Sequence, residues 1–307
     1  MKLYYVYDSR SPFMVQDLTM LQRDHQVRPF DLSEHITSYQ QAPAFAAASA
    51  LEYKQIQAAD ALIVWFADYT AIPFMTLAKA AGVPVIIIVG GWEVYGDKEL
   101  GYGNQTAPLR GAATRMVIRN ANAVISPSEA YAKIIREVVP GANVSVVPLA
   151  APYELFKQPV DKYRVAVTAY CRTSTEKLKG IDTFREAAKL SRYPTRVLKG
   201  LSHDHLISEL RAAKVYCQLS YTESFGMTVL EAMACGCVPV VTDRDALPEV
   251  VGNTGVVVPY GDIRATTEAI TEAMEMSGEP ARRRAMEFST EKRATELNKI
   301  IGKVKRK

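Results

Sequence analysis

The stretch Gly82-Val83-Pro84-Val85-Ile86-Ile87-Ile88-Val89-Gly90-Gly91 decides the fold class. Five consecutive β-branched residues lie between Pro84 and Gly90, with no polar side chain on either face. The run is too short for an ordinary helix. Such strands are buried on both faces, the habit of a parallel sheet covered by helices. Working outward, short apolar runs at 2–7, 26–30, 61–66, 123–126 and 144–147 read as further strands. Amphipathic stretches near 12–23, 43–58, 70–81, 108–121 and 128–139 fall between them. Strand–helix alternation of this kind predicts a doubly wound α/β domain.

Pro148-Leu149-Ala150-Ala151-Pro152 and the weakly periodic residues after it read as a linker. The alternation then restarts, with strands expected at 163–169, 195–199, 215–219, 238–242 and 256–258, and helices at 180–190, 203–212, 226–235 and 262–276. A length of 307 residues agrees with two domains. The expected division is 1–150 and 151–307, the second ending in a basic helix over 282–307 that closes the body. Sheets of this kind bind ligands at the carboxyl ends of their strands, so two Rossmann-like domains are expected to face each other across a cleft.

Composition narrows the function classes. At 48% hydrophobic and 23% charged, the chain is not a disordered or low-complexity protein. No apolar run approaches the ~20 residues of a membrane span, and residues 1–7 read as a first strand, not as a signal peptide. The four cysteines, Cys171, Cys217, Cys235 and Cys237, read as buried reduced thiols of a cytoplasmic protein. Net charge is +4, but residues 282–307 alone carry 10 basic and 3 acidic side chains. The body has no basic groove, so no nucleic-acid partner is expected. In the terminal helix, Leu297, Ile300, Ile301 and Val304 form one apolar stripe among Lys and Arg. It reads as a packing stripe, and also as a peripheral contact with the anionic lipid of an inner membrane face.

The densest chemistry lies in Tyr221-Thr222-Glu223-Ser224-Phe225-Gly226-Met227-Thr228-Val229-Leu230-Glu231. A strand ends in a polar turn and Gly226 opens a helix. The amides at 225–228 would form an anion site at its N-terminus. Glu223 stands just before the helix, and Glu231 lies five residues past Gly226, about 7 to 8 Å along it. One carboxylate near a diphosphate and one near a ribose suits a nucleotide-diphosphate ligand. On spacing alone, Glu223 also reads as a dipole partner and Glu231 as a surface residue.

These residues carry a resemblance. Glu223 to Glu231 matches the E-x7-E signature of retaining GT-B glycosyltransferases of the family 4 type (glycosyl transferases group 1). The continuation Ala232–Val241, with Leu247-Pro248-Glu249-Val250-Val251 and 255–259, resembles the same family over about 40 residues. Upstream, Cys171-Arg172-Thr173-Ser174-Thr175-Glu176-Lys177-Leu178-Lys179-Gly180 looks like the family's Arg…Lys-Gly loop, with Arg172 and Lys179 at the matching positions and Lys177 an extra cation. The resemblance implies a GT-B fold and a retaining, metal-independent transfer from a nucleotide-diphosphate sugar, with UDP, GDP or ADP undetermined and no cofactor. Glu223, Arg172 and Lys179 are then the expected catalytic residues. Glu231, Ser224, Phe225, Gly226, Met227 and Thr228 are the expected donor-binding ones.

The N-terminal half departs from the pattern. A Gly-Gly loop is frequent after the family's first strand, where this chain has Asp8-Ser9-Arg10-Ser11-Pro12; a histidine is frequent after the fourth, where it has Gly90-Gly91-Trp92-Glu93. Asp8, Arg10, Gly90, Gly91, Trp92 and Glu93 are acceptor-side candidates by position, Trp92 reading equally as a stacking platform or as packing. The acceptor is left open among a saccharide, a lipid-linked molecule and a small molecule. Alternative readings are a non-catalytic nucleotide-sugar-binding GT-B protein and a GT-B-like epimerase. Asp243-Arg244-Asp245 follows a parallel strand and does not read as a metal site. His203-Asp204-His205 reads as a helix start behind Ser202, because histidines two apart do not share a helix face.

Overall fold

The computed structural model describes residues 1–35, 49–157, 166–172 and 175–304. The chain divides into two compact units, Met1–Pro148 with Arg293–Lys307, and Leu149–Lys292.

In the first unit the strands are β1 (Lys2–Tyr7), β2 (Gln26–Asp31), β3 (Ala61–Trp65), β4 (Val85–Ile88), β5 (Ala123–Ser126) and β6 (Val144–Val146). They form a parallel sheet in the order β2-β1-β3-β4-β5-β6. Its helices include α1 (Pro12–Asp24), α2 (Tyr53–Gln57), α3 (Ala71–Ala81), α4 (Pro108–Asn120) and α5 (Glu129–Val138). All four residues of β4 are buried, as its unbroken apolar run predicts. Helix α3 ends at Gly82, whose φ of +67° supplies the left-handed C-cap that a β-branched residue would resist.

In the second unit, β7 (Ala166–Cys171), β8 (Thr195–Lys199), β9 (Ala213–Gln218), β10 (Val238–Thr242) and β11 (Val256–Val258) form a parallel sheet in the order β11-β10-β9-β7-β8. Helices α6 (Ile181–Leu190), α7 (His203–Ala212), α8 (Met227–Ala234), α9 (Leu247–Val251), α10 (Ile263–Glu275) and α11 (Glu279–Met286) alternate with or follow the strands. The strand order reverses between β7 and β9, so the loops leaving these two strands flank the topological switch point, where open α/β sheets take ligands.

Most expected elements are present within two residues of their expected ends. Phe66 falls outside β3 because its φ is +71°, and its ring lies where a Cβ on Gly90 would sit, 2.1 Å from Phe66 Cε1. The 43–48 part of the second expected helix, residues 163–165 of the expected strand and Lys305–Lys307 of the basic tail lie outside the described residues. Helix α9 was not expected.

The expected helix over 282–307 is two helices, α11 and α12 (Thr290–Val304). The break has a local cause: Ser289 Oγ accepts the Lys292 amide at 3.2 Å and starts a new helix, while the Phe288 ring packs edge-on against Phe225. From Arg293 on, helix α12 also groups with the first unit, not with the second as expected from a 151–307 division. The Arg293 guanidinium, buried among the polar positions of the helical wheel, forks onto Asp17 with two contacts of 2.6 Å. It also donates to the carbonyls of Val147 and Pro148 at 2.9 and 2.8 Å. Leu297, Ile300 and Ile301 are buried, so the apolar stripe is a packing face. No described helix is long and apolar enough to cross a membrane. All four cysteines are buried and none is in a disulfide.

Candidate functional site

The two loops at the switch point of the second sheet are locked together. Gly180 has φ +62°, and a Cβ there would lie 2.0 Å from the Leu219 carbonyl oxygen. Only glycine lets the end of the first loop approach the end of β9 this closely. The Tyr221 amide donates to the Leu178 carbonyl at 2.9 Å across the same junction. As a result Lys179, from the loop after β7, forms an ion pair and hydrogen bond with Glu223 Oε1, from the loop after β9.

Glu223 is held from three more directions. Gln218 Nε2 and Ser220 Oγ donate to Oε1 at 3.1 and 3.2 Å, and the Tyr216 hydroxyl bonds Gln218 behind them. Asp245, at φ +46°, accepts from the Glu223 amide at 3.3 Å and from the Thr222 hydroxyl. Burial pushes the Asp245 carboxyl up from its usual range. Asp245 of the Asp243-Arg244-Asp245 stretch thus serves to fix the Glu223 loop.

Helix α8 opens at Gly226, with φ +94°. Its first intrahelical bond runs from Leu230 N to Gly226 O, so the amides of Met227 and Thr228 precede the helical ladder. Met227, Thr228 and Ser224 are half-buried, whereas the Phe225 ring is buried against Phe288, so Phe225 offers its backbone and not its side chain. Arg172 is exposed just past the end of β7 and makes no ion pair among the described residues. Glu231 is 7% exposed, and its Oε1 lies 2.9 Å from His203 Nε2, the first residue of α7. Hydrogen bonding to this carboxylate raises the His203 pKa above its usual value. The sequence reading missed His203. Its signal was a histidine one residue after a capping Ser202 at the carboxyl edge of a strand.

In the first unit, Asp8 and Arg10 pair with each other, with Arg10 Nε 2.8 Å from Asp8 Oδ1. The Arg10 hydrogen bonds hold the Asp8 carboxyl below its usual range. Trp92 is half-buried, and its carbonyl accepts the Asn104 amide at 3.0 Å.

Glu93 is wholly buried, contrary to an acceptor-facing position. Its oxygens accept the amides of Gly90 and Gly91 at 2.8 Å and of Ala67 at 3.3 Å. It therefore ties the loop after β4 to the loop after β3. Burial pushes its carboxyl up to about 7. Between about 4.5 and about 7 the native state holds a proton that the unfolded chain has released, so this group's contribution to stability falls as pH rises. Denaturant titrations of wild type and Glu93→Gln should show their stability difference moving against the wild type by up to about 3 kcal/mol across that window. A pH-independent difference would contradict this account.

A cavity of about 650 Å³, lined by Met75, Lys79, Val83, Met116 and Val304 among others, lies at the amino ends of β4 and β5. That is the end of the sheet opposite to the one that takes ligands.

Comparison with known proteins gives the family and the fold. The family model "Glycosyl transferases group 1" matches residues 185–292, and "Glycosyl transferase 4-like domain" matches residues 12–150. A stretch of 64 residues, 21% of the chain, is 38% identical to O-antigen chain mannosyltransferase B of Escherichia coli and spans 17% of that relative. The fold is similar to sucrose-phosphate synthase from Thermosynechococcus elongatus (TM-score 0.78, 15% identity, 99% of this chain and 98% of that one). It is also similar to Anabaena Alr3699/HepE in complex with UDP and glucose (TM-score 0.74, 13% identity, 98% and 99%). With each half matched in order by a glycosyltransferase family model and the whole chain matched in fold, the protein belongs to the group 1 glycosyltransferases and has the GT-B fold.

Proposed function

We propose that the chain transfers a glycosyl group from a nucleotide-diphosphate sugar to an acceptor hydroxyl, with retention of configuration and without a metal ion. The observation that carries this reading is the Lys179–Glu223 pair at the switch point of the second sheet, beside the N-terminus of α8. A diphosphate seated there meets the Lys179 ammonium, the Arg172 guanidinium and the first amides of α8. These groups offset the charge that develops as the bond between the anomeric carbon and the phosphate oxygen breaks. Glu223 is oriented by Gln218 and Ser220 to accept hydroxyls of the donor sugar. The acceptor oxygen bonds to the anomeric carbon on the face the phosphate leaves, and its proton passes to the departing phosphate. The second unit holds the donor and Glu231 takes ribose hydroxyls; the first unit presents the acceptor. A relative in fold with UDP and glucose bound supports a UDP-sugar among the donors to try first.

The test is donor turnover with UDP-, GDP- and ADP-sugars in the presence of EDTA, with and without an acceptor extract, followed by NMR of the product's anomeric proton. One donor should turn over faster with acceptor present, and the product should keep the donor's anomeric configuration. An inverted product, or turnover abolished by EDTA, would contradict the proposed chemistry.

A further inference from the structure

We propose that His203 is a positioning residue at the nucleoside end of the donor site: it holds the Glu231 carboxylate in place and makes nucleotide affinity depend on the proton on its own ring. This rests on the donor-site reading given above.

Three placements lead to it. Helix α7 starts at His203 because Ser202 caps it, and the Gly200 amide, just before that cap, donates to the Cys171 carbonyl at 3.1 Å. His203 is thereby fixed at the same carboxyl edge of the sheet as Arg172. Glu231 is buried in the middle of α8, where a carboxylate without a donor is costly. Among the described residues its donor is His203 Nε2, at 2.9 Å, which occupies Oε1. The His203 side chain is 42% exposed, so it exchanges its proton with solvent while Glu231 does not face bulk water.

The charged groups acting on the ring are Glu231 from α8 and Asp204 from its own helix, and both favour the imidazolium. With the ring protonated, the His203–Glu231 pair carries no net charge, and an anionic nucleoside diphosphate meets no repulsion from it. With the ring neutral, the pair carries one negative charge beside that anion. Affinity should therefore be greatest below the His203 pKa and fall as pH rises through it. By reciprocity, bound nucleotide raises the His203 pKa further. A general property of the fold would not do this, because the effect belongs to one titrating ring.

The experiment is calorimetric binding of UDP, GDP and ADP to wild type, His203→Gln, His203→Ala and Glu231→Gln, with the imidazole protons followed by NMR. For the nucleotide that binds, wild-type affinity should weaken roughly fivefold to tenfold between about pH 6 and about pH 8.5. His203→Gln keeps an amide donor but does not titrate, so its affinity should be flat over that range. His203→Ala should bind about tenfold more weakly than wild type at about pH 6, the worth of one charge-assisted hydrogen bond. Without ligand, the His203 pKa should drop toward the ordinary histidine value in Glu231→Gln. Equal pH dependence in wild type and His203→Gln, or unchanged affinity in His203→Ala, would overturn the proposal while leaving the donor site standing. If none of the three nucleotides binds the wild type, the donor-site reading fails and this inference falls with it.

Discussion

Replacing Lys179 with alanine should lower kcat/KM for donor turnover by about 10²- to 10³-fold, the range measured when one preorganised donor to a developing anion is removed. The size follows from position. Lys179 stands one residue before Gly180, which lets the loop touch the end of β9, and its ammonium reaches Glu223. Alanine there removes a cation from the diphosphate and leaves Glu223, 12% exposed at its side chain, without its counter-charge. Both effects act on the same reacting centre. Lys177→Ala, two residues away and exposed, should remain near wild type. Turnover by Lys179→Ala within threefold of wild type would show that the loop does not clamp the leaving group.

Breaking the Arg293–Asp17 pair should strongly destabilise the first unit. Both side chains are at most 2% exposed, and removing one partner of such a pair typically costs 3–5 kcal/mol, because it strands a buried charge. Arg293→Ala also frees the carbonyls of Val147 and Pro148. Asp17→Ala and Arg293→Ala should each lower the first unit's unfolding temperature by on the order of 10 °C. The double change Asp17→Leu with Arg293→Met should recover a large part of that loss, since it removes both charges and keeps the volume. A loss under about 1 kcal/mol in both single variants would mean that the pair is worth no more than a surface ion pair.

These two cases mark where the sequence could and could not be read. Helices, strands and the switch-point loops were legible because each is a local pattern: unbroken apolar runs for β4, and Gly226 ahead of an apolar helix for α8. Glu223, Glu231, Arg172 and Lys179 were singled out by the resemblance of the segments that hold them, since spacing alone left Glu223 a dipole partner and Glu231 a surface residue; their roles belong to the proposal. Arg293 was not. Helical periodicity placed it with the solvated side chains, and its partner Asp17 lies 276 residues away. Ser289 caps the start of α12, but the basic, helix-favouring run around it masked the break. Glu93 was singled out by position, yet its oxygens are used up on the backbone of two loops, which no spacing reveals. His203 was read only as the start of a helix, since the contact with Glu231 joins two helices separated by a strand.

The most direct test of the central claim is thermal unfolding of wild type and Glu231→Ala with UDP, GDP and ADP, with NAD as a control. A ligand present at about 100 times its dissociation constant stabilises the unit that binds it by about 2.7 kcal/mol. One nucleoside diphosphate should raise the wild-type transition by several degrees and leave Glu231→Ala unmoved, with NAD inert in both. If none of the three diphosphates shifts the wild type, or if Glu231→Ala shifts equally, the nucleotide-sugar site proposed for the second unit is contradicted.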